Sequence, residues 1–156
     1  MTSPFGYTPA VFVSTEQRHE FLQFAQQAAR LAGAVVLPHF RTTISAQNKV
    51  VGKGFDPVTV ADQGAEKAIR KAIEGTYPEH GIYGEEFGFK PGNGLTWVID
   101  PIDGTRAFMS GMLHWGILLA LFDGETPIVG VMYQPYTDEL FFGDGDTAWM
   151  QRGDVL

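Results

Sequence analysis

The run Trp97-Val98-Ile99-Asp100-Pro101-Ile102-Asp103-Gly104-Thr105-Arg106-Ala107-Phe108 decides how the rest of the chain is read. Trp97 to Ile99 form an apolar strand that delivers Asp100 to its end. Pro101 has no N–H to give to a ladder and is expected to block the strand there. Asp103 follows three residues after Asp100, and Gly104 and Thr105 open a short helix-like segment. Two carboxylates therefore converge beside a helix start whose N–H groups can hold an anion. Carboxylates alone repel a phosphate, whereas carboxylates holding divalent cations beside those N–H groups attract it. Taken singly, Asp-Pro and Asp-Gly are ordinary turn dipeptides, and an Asp is an ordinary N-cap. Two acids at this interval, with an apolar strand before them and Gly-Thr after, are hard to explain as a turn alone.

Upstream, Ser14 or Thr15 can cap a helix that has Glu16 in its first turn. From there to about Phe40, Phe21, Ala25, Ala28, Leu31 or Ala32, and Val35 recur at helical spacing, giving a long amphipathic helix. Gln and Glu share its polar face with Arg, which favours packing on a core over a membrane surface. Residues 42–55 read as a short strand or loop. A second helix is expected over about Asp62 to Glu74, with Ala65, Ala68, Ile69, Ala72 and Ile73 on its inner face. Thr59 or Asp62 would serve as its N-cap. Gly81-Ile82-Tyr83 is a short strand ending in Gly84-Glu85-Glu86. The Gly- and Pro-rich stretch Phe87 to Gly94 is expected to be a mobile loop.

Downstream, Trp115 to Phe122, Pro127 to Tyr133, Glu139 to Phe142 and Thr147 to Gln151 read as strands in meander order. Asp123-Gly124 and the segment Gly143 to Asp146 mark turns. Asp144 and Asp146 lack the rest of a calcium-loop pattern, so a hairpin turn is expected there. The fold class implied is α+β, an antiparallel β-sheet with two long helices on one face. His114 lies near the acidic motif in sequence and is placed to meet a substrate. His19, His39 and His80 are expected at the surface.

The 156 residues suit one domain with a real core, and 44% apolar residues indicate a globular chain. A net charge of −7 argues against non-specific nucleic-acid binding and suits carboxylate metal sites. The chain has no Cys, and so no disulfide, thiolate nucleophile or zinc–thiolate cluster. No apolar run reaches the roughly 18 residues of a membrane span, and residues 1–13 lack Lys and Arg. The expectation is a soluble cytoplasmic protein with no membrane partner.

Three elements together resemble the inositol monophosphatase family of Mg²⁺-dependent, lithium-sensitive sugar phosphatases. The string DPIDGT after Trp97-Val98-Ile99 is similar to the family's metal-binding signature. Residues Asp56 to Asp62 resemble its D-x-V-T-x-A-D element, and Gly84-Glu85-Glu86 its G-E-E element. The continuation from Arg106 to Gly111, then Trp115-Gly116, resembles the histidinol-phosphate phosphatase branch. Inositol-specific members more often carry Asn before the Phe.

The resemblance implies Glu85, Asp100 and the Ile102 carbonyl around one Mg²⁺, with Asp100 bridging to a second ion that Asp103 also binds. Two or three Mg²⁺ ions are expected in all. Asp62, paired with Thr105, would activate the attacking water, so the catalytic set is Asp62, Thr105 and Glu85. The N–H groups of Gly104 and Thr105 would hold phosphate oxygens, with Arg106 beside them. Glu86 is a further candidate behind the metal. Lys53 stands where a family lysine often approaches the site, and equally reads as a solvated lysine. The partner implied is a small phosphorylated metabolite, histidinol phosphate first. An inositol phosphate or a 3′-phosphonucleotide is the alternative within the family. Residues 1–13 would be a loose lead-in and 14–156 the N-terminal metal-binding domain. The family's second α/β domain carries a W-D-x-x-A-G element, and no Trp-Asp pair occurs in this chain. The surface that meets that domain is expected to expose apolar area and to favour a homo-oligomer. A metal-binding half-domain without catalysis is the third reading.

Overall fold

The computed structural model describes residues 9–42 and 57–155. Lys53 and Asp56 lie outside them. Helix α1 covers Thr15–Val36. Its first turn is closed by a capping box: the Ser14 hydroxyl accepts from the Gln17 amide at 3.2 Å, and the Gln17 side chain accepts from the Ser14 amide at 3.0 Å. The inward stripe is Phe21, Leu22, Ala25, Ala28, Ala29, Ala32 and Val36, while Leu31 is left exposed. The helix stops short of Phe40 because Pro38 has no N–H for the next α-helical bond, and the chain tightens into a 3-10 turn over Leu37–His39.

Helix α2 covers Pro57–Thr76 and begins five residues earlier than the sequence suggested. A proline is pre-set for the first helical position, where its missing N–H costs nothing. Thr59 and Asp62 therefore lie inside the helix, not at the N-cap position before it. The buried line of α2 is Ala61, Ala65, Ile69 and Ile73, joined by the carboxylate of Glu66.

Among the described residues the seven strands are β1 (Gly81–Gly84), β2 (Gly88–Lys90), β3 (Thr96–Asp103), β4 (Gly116–Phe122), β5 (Pro127–Gln134), β6 (Glu139–Gly143) and β7 (Ala148–Arg152). They form one sheet in the order β2-β1-β3-β4-β5-β6-β7. The α+β class holds. One pairing departs from the antiparallel expectation, since β1 runs parallel to β3 and the other neighbours are antiparallel. The stretch after Glu86 is not simply a loop: β2 folds back on β1, pairing Gly84 with Gly88.

Pairing register fixes which side chains share a face. Ile82, Trp97, Leu121 and Val129 lie in one row, and Ile99, Leu119 and Val131 in the next. All are buried, and α1 and α2 cover them, packing on β4, β5 and β3. Gly33 lets α1 approach closely, because a Cβ there would meet the Tyr133 ring at 2.6 Å. Each such aliphatic side chain removed from water contributes about 1.5–3 kcal/mol. The opposite face carries Phe89, Tyr83, Met132, Phe141 and Met150, each 39–52% exposed. His80 is inside rather than at the surface: it stacks on Tyr77, and its Nδ1 accepts from Trp97 Nε1 at 3.1 Å. Burial pushes it down to about 4 from an ordinary 6.5. No helix among the described residues is long and apolar enough to cross a membrane.

Candidate metal and phosphate site

Pro101 does not end its strand. β3 runs on to Asp103, and the irregularity appears as a bulge. Asp100 pairs with Leu118 and Asp103 with Gly116, so one extra residue sits on β3 between them. A proline is tolerated there because the ladder is already interrupted. The bulge also re-aims the acids. Asp100 and Leu118 stand on the face away from the helices, whereas Ile102 turns inward and is 2% exposed.

Asp103 hands over to Gly104, whose φ of 84° is in the left-handed region. Glycine is required there on a second count, since a Cβ would run into the His114 carbonyl. Helix α3 (Thr105–Met109) follows at once. Its anchor is Phe108, buried edge-on against Trp115 at 4.9 Å and tilted on Phe40 at 5.4 Å. The Thr105 hydroxyl donates to the Ile102 carbonyl at 3.2 Å, tying the helix start to the bulge. Arg106 is exposed on α3.

Three acids meet at this junction. The Ile102 amide near Asp100 favours its charged form, whereas the Glu85 carboxyl and the Asp103 charge disfavour it. Burial first, then the Glu85 and Asp103 charges, push Asp100 up to about 6 from 3.8. One Asp100 oxygen, Oδ1, is buried without a hydrogen-bond partner. An orphaned buried carboxylate oxygen, raised by two neighbouring acids, is a donor set that fits a hard divalent cation. The side chains are not drawn into a closed cage: among the described residues no three acids or histidines surround one point.

Asp62 is buried on α2. Glu85 is exposed at the start of the turn from β1 to β2. Glu86 contributes its amide, which donates at 2.7 Å to Glu66. Beside Asp103, a depression of about 380 Å³ is lined by His114, Trp115, Met132, Gln134, Glu139 and Phe141, among others. His114 is thus beside the acids in space as well as in sequence. Sequence reasoning missed Glu66. The available signal was an acid flanking the apolar line Ala65–Ile69–Ile73, with Arg70 one turn on.

The inositol monophosphatase family model matches residues 17–153. A histidinol-phosphatase of Chlorobaculum parvum is 39% identical over 137 residues, 86% of this chain and 52% of that protein. A Nus factor SuhB of Xylella fastidiosa is 36% identical over 130 residues, 83% of this chain and 45% of that protein. Among solved structures, an inositol monophosphatase from Zymomonas mobilis superposes with a TM-score of 0.78 at 34% identity, covering 92% of this chain and 54% of its own. The chain spans about half the length of the curated relatives it matches.

Proposed function

The chain belongs to the inositol monophosphatase family, and from that premise we propose that it carries the metal-holding half of a Mg²⁺-dependent phosphate monoesterase acting on histidinol phosphate. The observation that carries the reading is the buried, unpartnered Asp100 oxygen, on a carboxyl that the nearby Glu85 and Asp103 charges raise. Glu85, Asp100, Asp103 and the Ile102 carbonyl would hold the ions. The Ile102 oxygen accepts one bond from Thr105 and keeps a second lone pair. When bound, Mg²⁺ supplies charge neutralisation and a hydroxide-like water.

The chain's own residues do the rest. Thr105 and the buried Asp62 would orient the attacking water, the Thr105 hydroxyl turning to Asp62 from the Ile102 carbonyl to which it donates here. The first amides of α3 and the exposed Arg106 take the phosphoryl oxygens, since the opening N–H groups of a helix have no acceptor within it. The depression beside Asp103 receives the leaving alcohol. Arg106-Ala107-Phe108 and the similarity to a histidinol-phosphatase support histidinol phosphate over an inositol phosphate or a 3′-phosphonucleotide. The apolar face bearing Phe89, Tyr83, Met132, Phe141 and Met150 supports a second domain seated on that side. Such a domain would complete the second metal position and the substrate wall.

The test is phosphate release from histidinol phosphate, inositol 1-phosphate and adenosine 3′,5′-bisphosphate, each with Mg²⁺ and with chelator. Titration calorimetry with Mg²⁺ runs beside it. Metal-dependent release favouring histidinol phosphate is the expected result. The alternative is a metal-binding half-domain without catalysis: Mg²⁺ binding without release from any substrate would establish it. Absence of Mg²⁺ binding would overturn both.

A further inference from the structure

Glu66 is 0% exposed. A carboxylate that deep is costly unless both oxygens are bonded. Oε2 accepts from the Glu86 amide at 2.7 Å. Oε1 accepts from the Phe87 amide at 3.2 Å and from Arg70 Nε at 2.7 Å. Arg70 then reaches past Glu66, and its Nη2 donates to the Gly88 carbonyl. One buried ion pair on α2 therefore grips the turn at both amides and at the carbonyl that closes it. Gly84 is part of the same fit, because a Cβ there would overlap the Glu66 carboxylate. The β1–β2 hairpin already closes itself through the Gly84–Gly88 pairing. A buried pair is in general poor at adding stability over an apolar substitute. What this pair adds is a fixed place for the turn, and Glu85, immediately before the gripped amides, follows Gly84, which pairs with Ile99 just before Asp100.

We propose that Glu66, braced by Arg70, is a positioning residue: it holds the turn so that Glu85 is presented to Asp100, and it thereby sets the metal affinity of the site without touching the metal. This rests on Glu85 being a metal ligand, as proposed above.

The experiment compares the wild-type chain with Glu66→Gln, Arg70→Lys, Glu85→Ala and the Glu66→Gln/Glu85→Ala double variant. Two readouts are taken: Mg²⁺ affinity by calorimetry, and amide hydrogen exchange of the metal-free protein. Glu66→Gln keeps the shape, forfeits a charge and leaves Arg70 unpaired. Mg²⁺ affinity should fall on the order of 10- to 100-fold, the usual consequence of disturbing a ligand's support. Exchange at Glu86 and Phe87 should rise about 10-fold, with Trp97 and Leu119 unchanged. Arg70→Lys retains the charge but not the fork, and should show a smaller shift in the same direction; it keeps the test alive if Glu66→Gln does not fold. The double variant should bind no more weakly than Glu85→Ala, because Glu66 acts through Glu85. Unchanged affinity in both clamp variants, beside a weakened Glu85→Ala, overturns the inference and leaves the metal reading intact. Unchanged affinity in Glu85→Ala, or no Mg²⁺ binding by the wild type, overturns the metal reading and this inference with it.

Discussion

Asp100→Asn should make the metal-free protein more stable at neutral pH while removing its metal affinity. Asp100 titrates near 6 in the fold against 3.8 ordinarily, so the folded state binds its proton more tightly than the unfolded state does. The favourable protonated form is fully present below about 4 and is lost as pH rises through 6. At 1.36 kcal/mol per pH unit of displacement, the ceiling of that loss is about 3 kcal/mol. The carboxyl is only half-buried, and screening by water lowers the figure to about 1–1.5 kcal/mol. An Asn has the same shape and puts no charge beside Glu85 and Asp103. Urea unfolding in chelator, at pH 4.5 and 7.5, measures the effect. The variant should gain about 1–1.5 kcal/mol over wild type at pH 7.5 and little at pH 4.5. Comparison with wild type at each pH cancels every other titrating group. A variant that is less stable at pH 7.5, or a difference independent of pH, would refute the claim that like charges are compressed at this junction.

Three further outcomes follow from the packing. His80 is held near 4 by burial, so its contribution is complete above 6.5 and is lost as pH falls towards 4; His80→Gln should abolish about 2 kcal/mol of the acid sensitivity seen in urea midpoints between pH 7 and 4.5. Gly104→Ala meets both a φ of 84° and the His114 carbonyl, and should cost about 2–3 kcal/mol by the same assay and displace α3. Ser14→Ala opens the capping box of α1 and should lower stability by about 1 kcal/mol, with faster amide exchange confined to the first turn of α1.

The alternation and period of the chain made most of the fold legible. Strands β4 to β7 lie within a residue or two of their sequence-read bounds because each is a short apolar or alternating run between turn residues. What escaped depended on partners distant in sequence. Gly88–Lys90 has no strand-like pattern of its own and is a strand because β1 is there to pair with it. Pro101 reads as a stop, and only the two-against-one register with β4 shows a bulge that absorbs it. His80 reads as polar until the Tyr77 and Trp97 rings close over it. Asp100, Asp103 and Glu85 were legible as candidates. Glu66 was not, since its three bonds go to Arg70 and to a turn some twenty residues on.

The junction also explains why two long helices and a bulged strand are needed to present three acids. Left to themselves, Glu85, Asp100 and Asp103 would separate, because the Glu85 and Asp103 charges raise the cost of ionising Asp100. Glu85 and Asp100 come from parallel neighbours, and Gly84 pairs with Ile99, so Glu85 and Asp100 leave the ladder side by side. Asp103 is brought back by the bulge and fixed through Gly104 and the buried Phe108. None of these restraints depends on the acids themselves. The apolar row Ile82, Trp97 and Leu121 holds the strands, and the ion pair on α2 holds the turn. Core burial thus sustains an arrangement of charge that is locally unfavourable. A cation can relieve that arrangement, and a developing phosphoryl charge beside it can then be stabilised.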